Sequence, residues 1–212
     1  MKCARALRML LGCSLIIATL AAAQSAQEVL DKARKKYDDC TDVELRFIQV
    51  VKFPVSRVEQ RITGTLQMRK GNHYRVETED MTVVTDGTTV WSYSRGTNQV
   101  LIDRFAADER MFSPERILTA APEDFSAALL GREKIGSQET VVLKLLPSGE
   151  GFLKTLKIWI GESDYLTRKV EMVDANGKET IYLVSDLRVN TGIPESRFTL
   201  KVPEGAEVVD LR

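Results

Sequence analysis

The 212-residue sequence is short of the residues that carry most side-chain chemistry: it has three cysteines and one histidine, His73. Two of the cysteines, Cys3 and Cys13, fall in an N-terminal segment that reads as removable, which leaves Cys40 alone and excludes an internal disulfide. A single cysteine at a helix end is best explained as a small apolar filler. With one histidine and no Cys-x-x-Cys, no zinc-type cluster can be assembled. His73 sits in a turn-to-strand region among Lys70, Asn72 and Arg75 and reads as a solvated side chain. Also absent are the Gly-x-Ser-x-Gly elbow, the phosphate-binding glycine loop and His-Glu-x-x-His. Carboxylates do cluster, as Asp38-Asp39 with Asp42, as Glu77, Glu79 and Asp80, and as Glu123-Asp124, but each group has a local structural reason, such as the first turn of a helix. No enzyme, cofactor or metal is expected. Cations and anions balance at 30 each, and no charge run exceeds Arg34-Lys35-Lys36, so nothing points to nucleic acid.

Long apolar runs are equally scarce. The only one is Met9 to Ala23, preceded by Lys2, Arg5 and Arg8 and closed by Ala21-Ala22-Ala23, the pattern of a secretory signal peptide. It is shorter than the ~20 residues that span a bilayer, and no later segment approaches that length. Residues 1–23 are therefore expected to be removed and 24–212 to be exported as one soluble domain; a cut after Ala26 is the alternative. Leu10-Leu11-Gly12-Cys13 has the form of a lipoprotein acylation box. Cutting there would leave only Met9 to Gly12 as apolar run, and export without acylation is the reading preferred here.

What is present is an ordinary globular composition, 43% apolar and 28% charged. Ser25 to Glu28 opens a helical pattern with Val29, Leu30, Ala33 and Tyr37 on one face and Arg34, Lys35 and Lys36 near its end, where cations suit the helix dipole. From Asp42 the period changes to two: Leu45, Phe47, Gln49, Val51 and Phe53 share one face. Strand signals recur at Ile62 to Met68, His73 to Glu79, Met81 to Tyr93, Gln99 to Asp103, Val141 to Leu146, Leu153 to Ile160, Leu166 to Val173 and Thr180 to Asp186. The connecting turns are short, which predicts an antiparallel meander. Within it, Asp86-Gly87 predicts a two-residue type I′ turn.

The series is interrupted from Phe105 to Gly131. Ser113-Pro114-Glu115 and Ala121-Pro122-Glu123-Asp124 both look like helix starts, which predicts two short helices carrying Met111, Phe112, Ile117, Leu118, Phe125, Leu129 and Leu130. A sheet of roughly ten to eleven strands must curl. The expected fold is therefore α+β: one long curled antiparallel sheet, an unclosed β-barrel, with three helices forming a lid over a hydrophobic cavity. Such curved sheets can enclose ligands.

Several stretches carry a family resemblance. They are Leu45-Arg46-Phe47-Ile48-Gln49, Gly64 to Met68 leading into Arg69-Lys70-Gly71-Asn72-His73-Tyr74-Arg75, Thr85 to Tyr93, Asp174 to Thr180, and Phe198 to Val208 with Asp210. In this order the chain resembles the periplasmic outer-membrane lipoprotein carrier family, LolA, over essentially all of residues 24–212. The resemblance implies a monomeric periplasmic carrier that binds the acyl chains of triacylated lipoproteins, receives them from an inner-membrane ABC transporter and passes them to an outer-membrane acceptor. Two rivals share the fold: a periplasmic sensing or regulatory domain, which would be expected to carry a second domain after the barrel, and a membrane-anchored acceptor acylated at Cys13. The acyl-chain cavity is expected to be lined by Leu45, Phe47, Met68, Met81, Val83, Trp91, Leu101, Phe112, Ile117, Leu118, Phe125 and Trp159. Where many family members have a lid-closing arginine, this chain has Lys70 with Arg69 beside it, and these two are the expected latch. Lysine lacks the planar fork of arginine. Arg75 matches a common family arginine and is expected to be structural.

Overall fold

A computed structural model describes residues 25–106, 125–147 and 153–212. The N-terminal segment, Phe112, Ile117, Leu118 and the first of the two predicted inserted helices lie outside these residues.

The first element is helix α1 (Ala26–Asp38), and its start is built as a reciprocal capping box. The Ser25 hydroxyl accepts from the Glu28 amide at 3.1 Å, while the Glu28 carboxylate accepts from the Ser25 amide at 3.1 Å. Strands follow in chain order: β1 (Asp42–Lys52), β2 (Glu59–Arg69), β3 (His73–Thr78), β4 (Met81–Asp86), β5 (Thr89–Ser94), β6 (Gln99–Arg104), β7 (Phe125–Ile135), β8 (Gln138–Pro147), β9 (Leu153–Gly161), β10 (Thr167–Asp174), β11 (Glu179–Val189) and β12 (Glu207–Asp210). They form a single 12-stranded sheet in the order β12-β6-β5-β4-β3-β2-β1-β11-β10-β9-β8-β7. Two meanders are thus joined where β1 pairs with β11, and the edge strands β12 and β7 are not paired with each other. The barrel is unclosed.

Two parts of the sequence expectation change. Among the described residues there is one α-helix rather than three, and the second predicted inserted helix is replaced by β7, which runs from Phe125 and pairs antiparallel with β8 across the turn at Gly136 and Ser137. Phe125 and Leu129 are four apart, a spacing that suits both a helix face and one face of a strand, so the apolar pattern alone does not separate the two. The neighbouring Leu129-Leu130 pair, which does not alternate, marks a β-bulge: Leu129 opposes Leu143 and Gly131 opposes Val142, leaving Leu130 as the extra residue. The strand count is also higher than ten to eleven, and β12 is parallel to β6 rather than part of the antiparallel series. Parallel pairing needs a long connection. Here the connection from β6 to β12 takes in β7–β11, and its last part, residues 190–206, crosses one face of the sheet with a 3₁₀ turn (Glu195–Phe198) that contacts β3 and β4.

The two faces of the sheet are covered differently. On one face, Val29, Leu30 and Ala33 of α1 pack on Val141, Leu143, Leu145, Ile158, Ile160 and Val170, filling the β7–β10 half. Leu30 is fully buried, which contributes about 2 kcal/mol. Tyr37 at the end of the helix packs with Cys40, Val43, Leu45, Leu66 and Met68. Its hydroxyl accepts from the Thr167 amide at 3.1 Å, and burial pushes the phenol up to about 12. On the other face, the crossing segment buries Phe198 and Leu200, the latter against Val84, Val100 and Ile102 with Trp91, Tyr93 and Ala206 at the margin.

Asp42 fastens the start of that segment. Its carboxylate accepts from the Thr191 amide (2.7 Å), the Thr191 hydroxyl (2.9 Å), the Gly192 amide (2.9 Å) and the Thr41 hydroxyl (3.2 Å). Burial alone would raise its pKa, but these donors outweigh burial and hold the carboxyl below its ordinary value. A depressed folded-state pKa gives stability that is complete above the unfolded value, ~3.9, and is lost as pH falls through the folded value. Asp42→Asn is therefore expected to destabilise the fold by about 2 kcal/mol at pH 7. In urea titrations the gap to the parent should narrow towards pH 3; a gap independent of pH would refute the assignment.

The Asp86-Gly87 corner forms, but not in the predicted type I′ geometry. Gly87 takes the left-handed conformation (φ 84°) while Asp86 does not. The Asp86 carboxylate instead accepts from the Thr88 amide (2.8 Å), the Thr88 hydroxyl (2.7 Å) and the Thr89 amide (2.8 Å), an Asx-type turn.

Candidate functional site

Alternation along the strands, combined with the register between them, places one set of side chains on the face that carries α1. Leu45, Phe47 and Gln49 of β1 oppose Leu66, Gly64 and Ile62 of β2. Phe47 and Gln49 also oppose Val184 and Tyr182 of β11, and Leu66 opposes Val76 of β3, itself opposite Val83 of β4. Helix α1 covers the β7–β10 half of this face and reaches β1 and β2 only through Tyr37 at its end. The other half holds a cavity of about 670 Å³, lined by all of these residues except Gly64, with Thr78, Met81 and Val170, and bounded by Gln60, Arg61, Thr63, Glu79 and Asp80. Val83 on β4 and Val170 on β10 border the same space although four strands lie between theirs. In a flat sheet those strands would stand about 24 Å apart, so the face is strongly curled around the cavity.

The floor is apolar and the entrance polar. Phe47 lies over Gly64, where a Cβ would come within 2.6 Å of the ring and 2.6 Å of the Glu77 carbonyl oxygen. The ring also meets Tyr182 edge-on, with centroids 6.3 Å apart. One pair further along the strands, Gln49 Nε2 donates to the Tyr182 hydroxyl at 2.9 Å. Burial raises the Tyr182 pKa, so the phenol is neutral at physiological pH. Met81 at the margin is 47% exposed. A pocket of this size, with an apolar floor and a few polar groups at one end, suits an amphiphile entering tail first. Among the described residues there is no group of three or more His, Cys, Asp or Glu side chains arranged to hold a metal ion.

Of the residues the sequence singles out for the cavity, Leu45, Phe47, Met81 and Val83 line it. Met68 shares their face but is buried beside Tyr37 and Cys40 at the end of α1. Leu101 opposes Ser92, which opposes Val83, and so points the same way two strands beyond the cavity wall. Trp91 lies on the opposite face, beside the Val84, Val100 and Ile102 cluster. Trp159 is also on that face: its indole donates to Glu133 at 2.8 Å and the Lys169 ammonium sits 3.9 Å from the ring centroid. Phe125 packs at the margin of the α1 cluster. Ile62, Leu66, Val76, Val170, Tyr182 and Val184 line the cavity without having been singled out. Their signal was the odd or even position relative to Phe47, which becomes readable only when strand register is known.

The two latch candidates face neighbours other than the cavity. Lys70 donates to the Asp38 carbonyl at the end of α1, and Arg69 pairs with Glu195 at 2.9 Å. His73 is not freely solvated: its ring meets Phe198 edge-on at 5.6 Å, with Glu195 3.3 Å from Nε2. Arg75 joins Glu77 to the Arg197 carbonyl, a structural tie between β3 and the crossing segment.

Comparison with known proteins agrees with this architecture. The chain is 28% identical over 167 residues to an outer-membrane lipoprotein carrier protein of Alcanivorax borkumensis, covering 77% of this chain and 78% of the relative. It is 26% identical over 224 residues to one of Alkalilimnicola ehrlichii, covering 99% and 95%. An uncharacterized protein of Methanocaldococcus jannaschii is 24% identical over 192 residues; the match covers 87% of this chain and spans 54% of that protein's length. Among solved structures, an uncharacterized conserved protein from Thermus thermophilus has the same fold, with TM-score 0.59 and 18% identity over 87% of this chain and 98% of the other. The protein MucB superposes with TM-score 0.50 and 14% identity over 87% of this chain and 65% of its own. The family profile described as outer membrane lipoprotein carrier protein LolA matches residues 39–201, and the chain belongs to that family.

Proposed function

We propose that this protein is a periplasmic carrier that shelters the acyl chains of triacylated lipoproteins in the cavity over Phe47, receives them from an inner-membrane ABC transporter and yields them to an outer-membrane acceptor. The observation that carries the reading is a sheet face that the described residues cover only in part: in a LolA-family chain, an apolar cavity of about 670 Å³ stands beside the half that helix α1 fills. The chemistry required is binding and release, without covalent change. Each buried methylene contributes ~0.8 kcal/mol, so a cavity that swallowed long chains completely would not release them. An open trough that covers part of the acyl group keeps transfer within reach. Residues 1–23 act, in this reading, as the export signal.

The test is calorimetric titration with a triacylated lipopeptide and with the same peptide deacylated. Only the acylated form is expected to bind, and handing it to a purified acceptor would separate a carrier from a sensing domain of the same fold. Folded protein that binds neither form would overturn the proposal.

A further inference from the structure

We infer that Gln49 and Tyr182 form a polar collar that recognises the ester or amide carbonyl at the head of a bound acyl chain. The inference rests on the acyl-chain reading above and adds a chemical requirement to it: the ligand must carry a carbonyl next to its hydrocarbon tail.

The position of the pair is the first argument. Strand β1 runs from Asp42, beside the end of α1, to Lys52. Leu45, Phe47 and Gln49 therefore stand at successive levels of the cavity, about 7 Å apart, with Gln49 the furthest from the buried end. Leu45, Phe47, Leu66, Val76 and Val184 surround the deeper levels. At the level of Gln49 and just beyond it, the lining includes Gln60, Glu79 and Asp80. A ligand with a hydrocarbon tail, a carbonyl and a polar head meets matching chemistry in that order.

The hydrogen-bonding capacity of the pair is the second. Gln49 Nε2 donates to the Tyr182 hydroxyl oxygen at 2.9 Å, and among the described residues no other hydrogen bond reaches either side chain. The Tyr182 O–H proton and the Gln49 carbonyl remain available. If the amide is turned over so that Tyr182 donates to Gln49, the pair still has a free donor, the Gln49 amide. In either arrangement a neutral donor faces the cavity. An alkane tail passing this point would leave it unanswered, which costs affinity, whereas an acyl carbonyl satisfies it. Both groups are neutral, so the site suits an ester or amide better than a free carboxylate.

The experiment compares two dialkyl lipopeptides with the same peptide and the same chain length, one with ester-linked palmitoyl chains and one with ether-linked hexadecyl chains. Each is titrated by calorimetry into the parent protein, Tyr182→Phe and Gln49→Leu, with thermal unfolding as the check on folding. The parent is expected to prefer the ester by about fivefold, the size of one neutral hydrogen bond. Tyr182→Phe should lose that preference by weakening the ester while leaving the ether within twofold; Gln49→Leu, which keeps the phenol, should retain at least part of it. Equal binding of both lipopeptides by the parent, or an equal loss for both in Tyr182→Phe, would overturn the collar while leaving the cavity reading intact. Failure of the parent to bind either would remove both.

Discussion

Phe47→Asp should reduce affinity for an acylated peptide more than a hundredfold while the protein remains folded. Phe47 is the middle of the cavity floor, flanked by Gly64 on one strand and Val184 on the other. A carboxylate there stays hydrated while the cavity is open and must lose that hydration when an acyl chain lies against it. Desolvating an unpaired charge costs several kcal/mol, and each 1.4 kcal/mol is a factor of ten in binding. Phe47→Leu, which keeps the floor apolar, should stay within about fivefold of the parent. The measurement is the calorimetric titration described above, with circular dichroism confirming the fold. Unchanged affinity in Phe47→Asp would mean that acyl chains do not contact this floor.

Gly64→Val carries the second large effect, on stability. A first side-chain atom at this position would lie 2.6 Å from the Phe47 ring and 2.6 Å from the Glu77 carbonyl oxygen. The ring could swing into the cavity, but the carbonyl belongs to the neighbouring strand and moves only with the β2–β3 ladder, where Gly64 opposes Thr78. Overpacking against a fixed backbone costs about 3 kcal/mol. For a chain of this size that is roughly 6–12 °C in Tm, measurable by calorimetric or optical melting. A Phe47→Ala, Gly64→Val double variant separates the two contacts: if only the ring is obstructed, removing it should relieve the Gly64→Val cost. If the carbonyl is the main obstacle, as the rigidity of the ladder implies, most of the cost should persist.

The apolar pattern was legible wherever one period ruled. Helix α1 was readable because Val29, Leu30, Ala33 and Tyr37 keep helical spacing behind a capping box at Ser25 and Glu28. Strand β1 was readable because Leu45, Phe47 and Gln49 alternate with Glu44, Arg46 and Ile48. The region around Phe125 was not: a spacing of four fits helix and strand, and the bulge at Leu130 breaks the alternation that would have decided between them. Strand β12 was hidden for another reason. Four residues at the edge of a sheet gain their strand conformation from pairing with Gln99 to Ile102, more than a hundred positions away, and no local preference announces that.

The same distinction holds for the site. By itself the sequence determined that the chain is α and β, that its strands form a long curling sheet, that it resembles lipoprotein carriers, and that Leu45 and Phe47 share one strand face; all of these follow from short-range periodicity or from residue order. Only the tertiary structure decided which aromatic side chains meet the cavity. Trp91 and Trp159 looked as suitable as Phe47, yet each lies on the face opposite to it. In a β-sheet the side of every residue is fixed by cross-strand register, and a shift of one residue reverses it. The packing of α1 on β7–β10 then determined which half of the sheet face the helix covers, because that depends on where Leu30 and Ala33 find their partners across the sheet and not on anything in the helix itself.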